Sequence, residues 1–169
     1  MLSATFRWLR KEDVLGTTSL SKAANAECEE TSLVFTFKED LPSTVLAIGK
    51  ALRRFTKQVH SRGFAPEIRW RVETATHEAL LNAHNHGNHA DPRKRISFQA
   101  AFGRGTIVVR VTDQGEGFDP DRVRNSLGDE SALLKPSGRG LIMIRSLAST
   151  VQFEDGGRRI VLSWKGGRP

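Results

Sequence analysis

The stretch His77–Pro92, HEALLNAHNHGNHADP, closes the segment whose reading decides the fold. From Ile68 onward, Ile68, Val72, Ala75, Ala79 and Ala83 recur at intervals of four, three, four and four. That spacing marks the buried face of one long helix. Pro66 suits its first turn, where a missing N–H is harmless, and Gly87 marks its end. The small alanines imply that a neighbouring element packs closely against this face. Four of the five histidines of the chain also fall in the quoted stretch, which raises the question of a metal site.

A helical wheel answers part of that question. At about 100° per residue, His77 and His84 project to one side of the helix. His86 and His89 point more than a right angle away, so convergence of all four on one ion is not expected. His86 and His89 retain weak metal capacity as a pair, but no cysteine and no H-E-x-x-H accompanies them. The histidines therefore read as solvated or packing residues. Glu78, Asn82 and His86, by contrast, are four residues apart and stack on one ridge beside the apolar stripe. Such a ridge is either a plain polar edge or a carboxylate and an amide held beside a cavity. In the second case they orient a hydroxyl, a water or a hard cation. Mg²⁺ takes oxygen ligands and keeps much of its water, so one Asn oxygen plus substrate phosphates would suffice.

The remaining elements follow from the same kind of reading. SLVFTFKED (32–40) alternates as a strand. The next 23 residues place Ile48, Leu52, Phe55 and Val59 at helical spacing, with Pro42-Ser43 as the start signal and Gly63 as the stop. RISFQAAF (95–102) sets Ile96, Phe98, Ala100 and Phe102 on one face, and TIVVRVTD (106–113) does the same with Ile107, Val109 and Val111. The intervening GRG supplies a hairpin turn. Residues 114–139 form a long loop rich in Gly, Asp, Ser and Pro, a length that in a compact domain usually serves function. A helix LIMIRSLAS and a final hairpin around Gly156-Gly157 complete the chain. This order predicts an α+β, two-layer α/β sandwich, with a mixed, mainly antiparallel sheet covered on one face by helices. Residues 1–31 read as a partly flexible N-terminal extension, and 32–169 as the folded domain.

Bulk properties narrow the function class. A chain of 169 residues with 38% hydrophobic and 27% charged residues has the composition of one ordinary globular domain, neither disordered nor membrane-embedded. No apolar run approaches a membrane span, and the opening residues lack a secretory signal. The single Cys28 excludes an internal disulfide framework and fits a reducing, cytoplasmic setting. The net charge of +7 favours an acidic partner or a nucleotide. Direct nucleic-acid binding is not expected, because several Phe and Trp fall in apolar-periodic positions and the chain has no tyrosine.

Two glycine-rich blocks complete the candidate chemistry. In DQGEGF (113–118), Asp113 at a strand end can accept from an exocyclic amine, and Gly115 and Gly117 let the backbone approach a flat ligand. In SGRGLIM (137–143), Gly138 and Gly140 open a helix whose free N–H groups suit phosphate, with Arg139 adding charge. Each block alone also reads as an ordinary turn or helix start. A P-loop and a complete dinucleotide fingerprint are both missing.

In order, E-A-L-L-N-A-x-x-H-G-N (Glu78 to Asn88), D-x-G-x-G-F (Asp113 to Phe118) and G-R-G-L (Gly138 to Leu141) resemble the N, G1 and G2 boxes of the GHKL ATPase superfamily. The details are most similar to the bacterial anti-sigma-factor serine/threonine kinases, over roughly residues 32–165. The resemblance implies the Bergerat ATP-binding fold, ATP and Mg²⁺ as cofactors, and an ATP lid over residues 119–137. It implies that Asn82 contacts Mg²⁺ on the phosphates and that Asp113 hydrogen-bonds the adenine amine. Gly115 and Gly117 would shape the base pocket, Gly138, Arg139 and Gly140 would lie at the phosphates, and His86 matches a motif position. Glu78 would be the general base that takes a proton from a partner's serine or threonine. The implied partners are a STAS-fold anti-sigma-factor antagonist, as phosphoacceptor, and a sigma factor, with a homodimer as the implied assembly. Leu81 departs from the pattern, since many of these kinases carry a hydroxyl residue there. Two other readings remain: an ATP-binding anti-sigma or signalling adaptor without phosphotransfer, and a histidine-kinase-type catalytic domain. For the latter, His60 is a poor acceptor because no second dimerisation helix follows it.

Overall fold

The computed structural model describes residues 34–119 and 136–166, with side chains of the last helix described from Gly140 onward. The expected N-terminal extension lies outside the described residues. Strand β1 (Phe35–Pro42) leads into helices α1 (Val45–Ser61) and α2 (Pro66–Asn82), and a π-helical turn (Ala83–Gly87) prolongs α2. A hairpin of β2 (Arg95–Gly103) and β3 (Thr106–Thr112) follows. Helix α3 (Pro136–Leu147) then precedes β4 (Thr150–Glu154) and β5 (Arg159–Lys165). The strands form one sheet in the order β1-β2-β3-β5-β4, and each pairing is antiparallel. The helices cover one face of this sheet, so the chain is the two-layer α+β sandwich that the element order predicts.

The core forms where the alternating strand positions meet the helical stripes. Phe98 of β2, Val109 of β3 and Leu162 of β5 are fully buried with Phe55 of α1 and Leu80 of α2. The rings of Phe37, Phe55 and Phe98 meet edge to face with centroids 4.9–5.6 Å apart, a favoured aromatic geometry. In the α2 stripe, Val72, Ala75, Ala79 and Ala83 are buried and Ile68 is partly covered. Helix α2 packs against α3 and α1, and Ile144 of α3 is also fully buried.

Three local expectations shift. Pro42 is the last residue of β1, paired with Arg95, and does not start the helix. An edge strand tolerates a proline whose missing N–H costs no ladder bond. The helix is capped instead by Thr44, whose Oγ1 accepts from Ala47 N at 3.3 Å. Helix α3 starts at Pro136, five residues earlier than the apolar run suggests, so Gly138 and Gly140 fall within its first turns. Finally, the α-helical wheel fails beyond Asn82, because Asn88 N bonds Ala83 O five residues back at 2.8 Å.

Candidate nucleotide site

The histidines separate as soon as their surroundings are known. His84 is buried, and its Nδ1 meets Ser43 Oγ at 3.0 Å, which fastens the end of α2 to the β1–α1 corner. His77 is exposed although the wheel puts it on the same side, because nothing equivalent covers the helix two turns earlier. Among the described residues, no three His, Cys, Asp or Glu side chains gather as a metal site. His60 Nε2 lies 2.7 Å from Glu73 Oε1 and ties α1 to α2.

The Glu78–Asn82–His86 ridge splits into two environments that share Asn82. Glu78 and Asn82, both half-buried, face α3 at Gly140. A Cβ on residue 140 would lie 3.1 Å from Glu78 Oε2 and 3.3 Å from both amide atoms of Asn82. Glycine there leaves just enough room for two polar side chains between helices. On its other side, Asn82 joins His86 on the wall of a cavity of about 300 Å³. Asn82 Nδ2 is buried without a hydrogen-bond partner, a state that costs about 1–3 kcal/mol unless a ligand relieves it.

The opposite wall is the end of β3 and the residues after it. Asp113 N donates to Arg158 O at 3.0 Å, and Asp113 Oδ1 accepts from Gly115 N at 2.8 Å. The Asp113 carboxylate presses on the backbone of Gly87, where a Cβ would fall 2.2 Å from its Cγ. Burial pushes the Asp113 carboxyl above the ordinary carboxylate range, while the Gly115 N–H and the cations of Arg158 and Lys94 pull it back. Beyond it the chain locks to the β4–β5 turn. Gly117 has φ +79°, a Cβ there would meet Gly156 O at 2.1 Å, and Phe118 N donates to Gly156 O at 2.9 Å. The Phe118 ring then packs on Phe153 at 5.1 Å, and both rings line the cavity.

Of the residues singled out in the sequence, Asn82, His86, Asp113 and Gly117 line one cavity. Glu78 and Gly140 flank Asn82 just beyond that wall, and Gly115 supports Asp113 from behind. Gly138 and Arg139 fall within α3, ahead of its described side chains. The segment read as a lid lies, for residues 120–135, outside the described residues. The sequence reading missed Phe153 and Arg158 on the wall, because both come from the last hairpin, which carries no motif. It also missed Asn88 and Gln114, whose role depends on a contact between separate segments.

A helix-covered antiparallel sheet with a cavity between the α2 wall and the end of β3 defines the architecture of a GHKL-type ATP-binding domain. Residues 41–164 match the model of the histidine kinase-like ATPase domain, and the chain belongs to that family, whose nucleotide is ATP. It is 23% identical over 120 residues to a serine-protein kinase RsbW of Oceanobacillus iheyensis, covering 68% of this chain and 76% of that one. It is 33% identical over 89 residues to the RsbW of Halalkalibacterium halodurans, covering 50% of this chain and 54% of that one. A crystal structure of RsbU and RsbW domains from Mycobacterium tuberculosis superposes with a TM-score of 0.51 at 18% identity, over 79% of this chain and 34% of the other. The last comparison supports the fold, and the first two are likenesses to proteins named serine-protein kinases. No described helix is long and apolar enough to cross a membrane.

Proposed function

We propose that this protein is an ATP- and Mg²⁺-dependent serine/threonine kinase that acts as an anti-sigma factor. It binds a sigma factor and phosphorylates a serine or threonine of a STAS-type antagonist. The observation that carries this reading is the convergence of Glu78 and Asn82 at Gly140, on the rim of a cavity that Asp113 also lines.

Phosphoryl transfer asks a protein mainly for positioning, charge neutralisation and one oriented base. Asp113 accepts from the exocyclic amine of the base and thereby sets the register of the nucleotide along the cavity. Phe118 and Phe153 give the base an apolar surface and exclude water. Asn82 Oδ1 would hold an oxygen-ligated Mg²⁺, and the unpartnered Asn82 Nδ2 would donate to a phosphate oxygen. Bound there, the ion would neutralise phosphate charge. Glu78, one helical turn from Asn82, takes the proton from the acceptor hydroxyl. Its place beside Gly140 keeps the carboxylate next to the helix start that faces the phosphates.

The test uses purified protein with radiolabelled ATP, Mg²⁺ and the STAS protein of the same bacterium. One acceptor residue becomes labelled, and Glu78→Gln slows the labelling by about 10²–10⁴-fold, the usual contribution of a general base. ATP affinity stays within about twofold in that variant, since Glu78 carries no uniform binding. Full labelling by Glu78→Gln removes Glu78 as the base. ATP binding without labelling of any STAS protein favours the adaptor reading instead.

A further inference from the structure

We infer that Asn88, together with Gln114, is a positioning residue of the base end of the site: its side chain is wedged into the β2–β3 ladder and aims Asp113. The inference rests on the nucleotide reading of the cavity and deepens it.

The β2–β3 register runs from Gly103↔Thr106 to Ser97↔Thr112. Continued by two residues, it would place Arg95 opposite Gln114. At that position the backbone partners no longer meet. Arg95 N donates to Gln114 Oε1 at 2.7 Å, Gln114 N donates to Asn88 Oδ1 at 2.8 Å, and Asn88 Nδ2 donates to Arg95 O at 3.0 Å. The Asn88 amide therefore lies between a carbonyl and an N–H that would otherwise form one ladder rung. Its orientation is unambiguous, because a carbonyl only accepts and a backbone N–H only donates.

The wedge has a fixed base. Asn88 is fully buried, its N–H bonds Ala83 O at 2.8 Å, and its carbonyl accepts from Asp91 N at 3.1 Å. These bonds anchor it to the π-helical turn that ends the α2 wall. The residue before Asn88 is Gly87 and the residue before Gln114 is Asp113, so one clamp holds both halves of the Gly87–Asp113 contact. An amide-wide gap lets β3 part from β2 there, while Asp113 N stays bonded to Arg158 O. That departure brings the Asp113 carboxylate onto Gly87 and not over the sheet. Without the wedge, Arg95 and Gln114 are free to close the rung directly and draw Asp113 away from the cavity.

The experiment measures binding of MgATP and MgGTP to the full chain by calorimetry, well below the unfolding midpoint, together with thermal unfolding. If Asp113 reads the adenine amine, wild-type protein prefers ATP. Asn88→Ala weakens ATP binding by about tenfold or more, the scale of one lost buried hydrogen bond, and narrows the ATP-to-GTP preference. Gln114→Ala does the same to a smaller degree and Gln114→Glu, which keeps an acceptor for Arg95 N, restores the preference. The Gln114 pair decides the matter if Asn88→Ala fails to fold. A lowered midpoint with unchanged ATP affinity and unchanged preference makes the clamp purely structural and overturns the inference alone. Wild-type protein that binds neither nucleotide overturns the reading of the cavity, and this inference with it.

Discussion

At its β3 end the cavity is closed by groups pressed against backbone, whereas at its α3 end it is bounded by the ends of polar side chains. The β3 end, where the proposed function puts the base, is closed by Gly117 against Gly156, by Asp113 against Gly87 and by the amide of Asn88 between two strands. The α3 end, where the proposed function puts the phosphates, has Glu78 and Asn82 near Gly140, with an amide nitrogen that lacks a partner. A flat heterocycle is recognised by a rigid slot whose geometry must exist before it binds. Phosphates and a metal supply strong charges of their own, so that end can remain unsatisfied until they arrive. On the proposed reading, the molecule separates recognition, which needs rigidity, from chemistry, which needs accessible polar atoms.

The most damaging way to break the rigid end is Gly117→Ala. The new Cβ meets a backbone carbonyl at 2.1 Å in a residue with φ +79°, so neither side can yield cheaply. A loss of about 2–4 kcal/mol in urea unfolding is expected from clash and left-handed strain together, with ATP binding lost. Next comes Asp113→Asn, which separates recognition from stability. The Asp113 carboxyl is raised in the folded state by burial, so its stabilising contribution is present below the unfolded pKa and disappears as pH rises through the folded value. At neutral pH the buried carboxylate is a net cost. The variant is therefore expected to unfold at a temperature no lower than wild type at pH 7, with its advantage shrinking in acid. ATP affinity falls about 10–100-fold in the same variant, because a hydrogen bond to a charged acceptor is lost. Differential scanning fluorimetry across pH and an ATP titration check both halves.

The smallest effect belongs to the open end. In Gly140→Ala the added methyl meets only the ends of side chains, at 3.1–3.3 Å, and these can give by a few tenths of an ångström. Stability is expected to change by less than about 1 kcal/mol. The phosphotransfer rate falls more than ATP affinity does, since the displaced groups are Glu78 and Asn82. A kcat and KM comparison for the STAS substrate measures this. Equal stability losses for Gly117→Ala and Gly140→Ala would erase the contrast between the two ends.

Much of this is legible in the amino-acid sequence. The α2 stripe, the alternation in β2 and β3 and the order of elements yield the sandwich, because buried faces must repeat with the period of their element. The three glycine-bearing blocks, taken together, point to a nucleotide site through the family they resemble. Other features were not legible. Pro42 looks like a helix start until its place on an edge strand is known. His77 and His84 share a wheel angle, yet only His84 meets Ser43. Phe153 and Arg158 enter the wall from a hairpin about 40 residues beyond Asp113.

The sequence by itself determined the periodic elements, the residues of the α2 ridge and the family they resemble, since each depends on spacing within one local segment. Only the tertiary structure decided that Asn82 stands between two environments, that Asp113 rests on Gly87, and that Asn88 replaces a ladder rung. Those facts arise where segments distant in the chain compete for the same hydrogen bonds and the same space. A one-dimensional pattern carries no record of which partner wins.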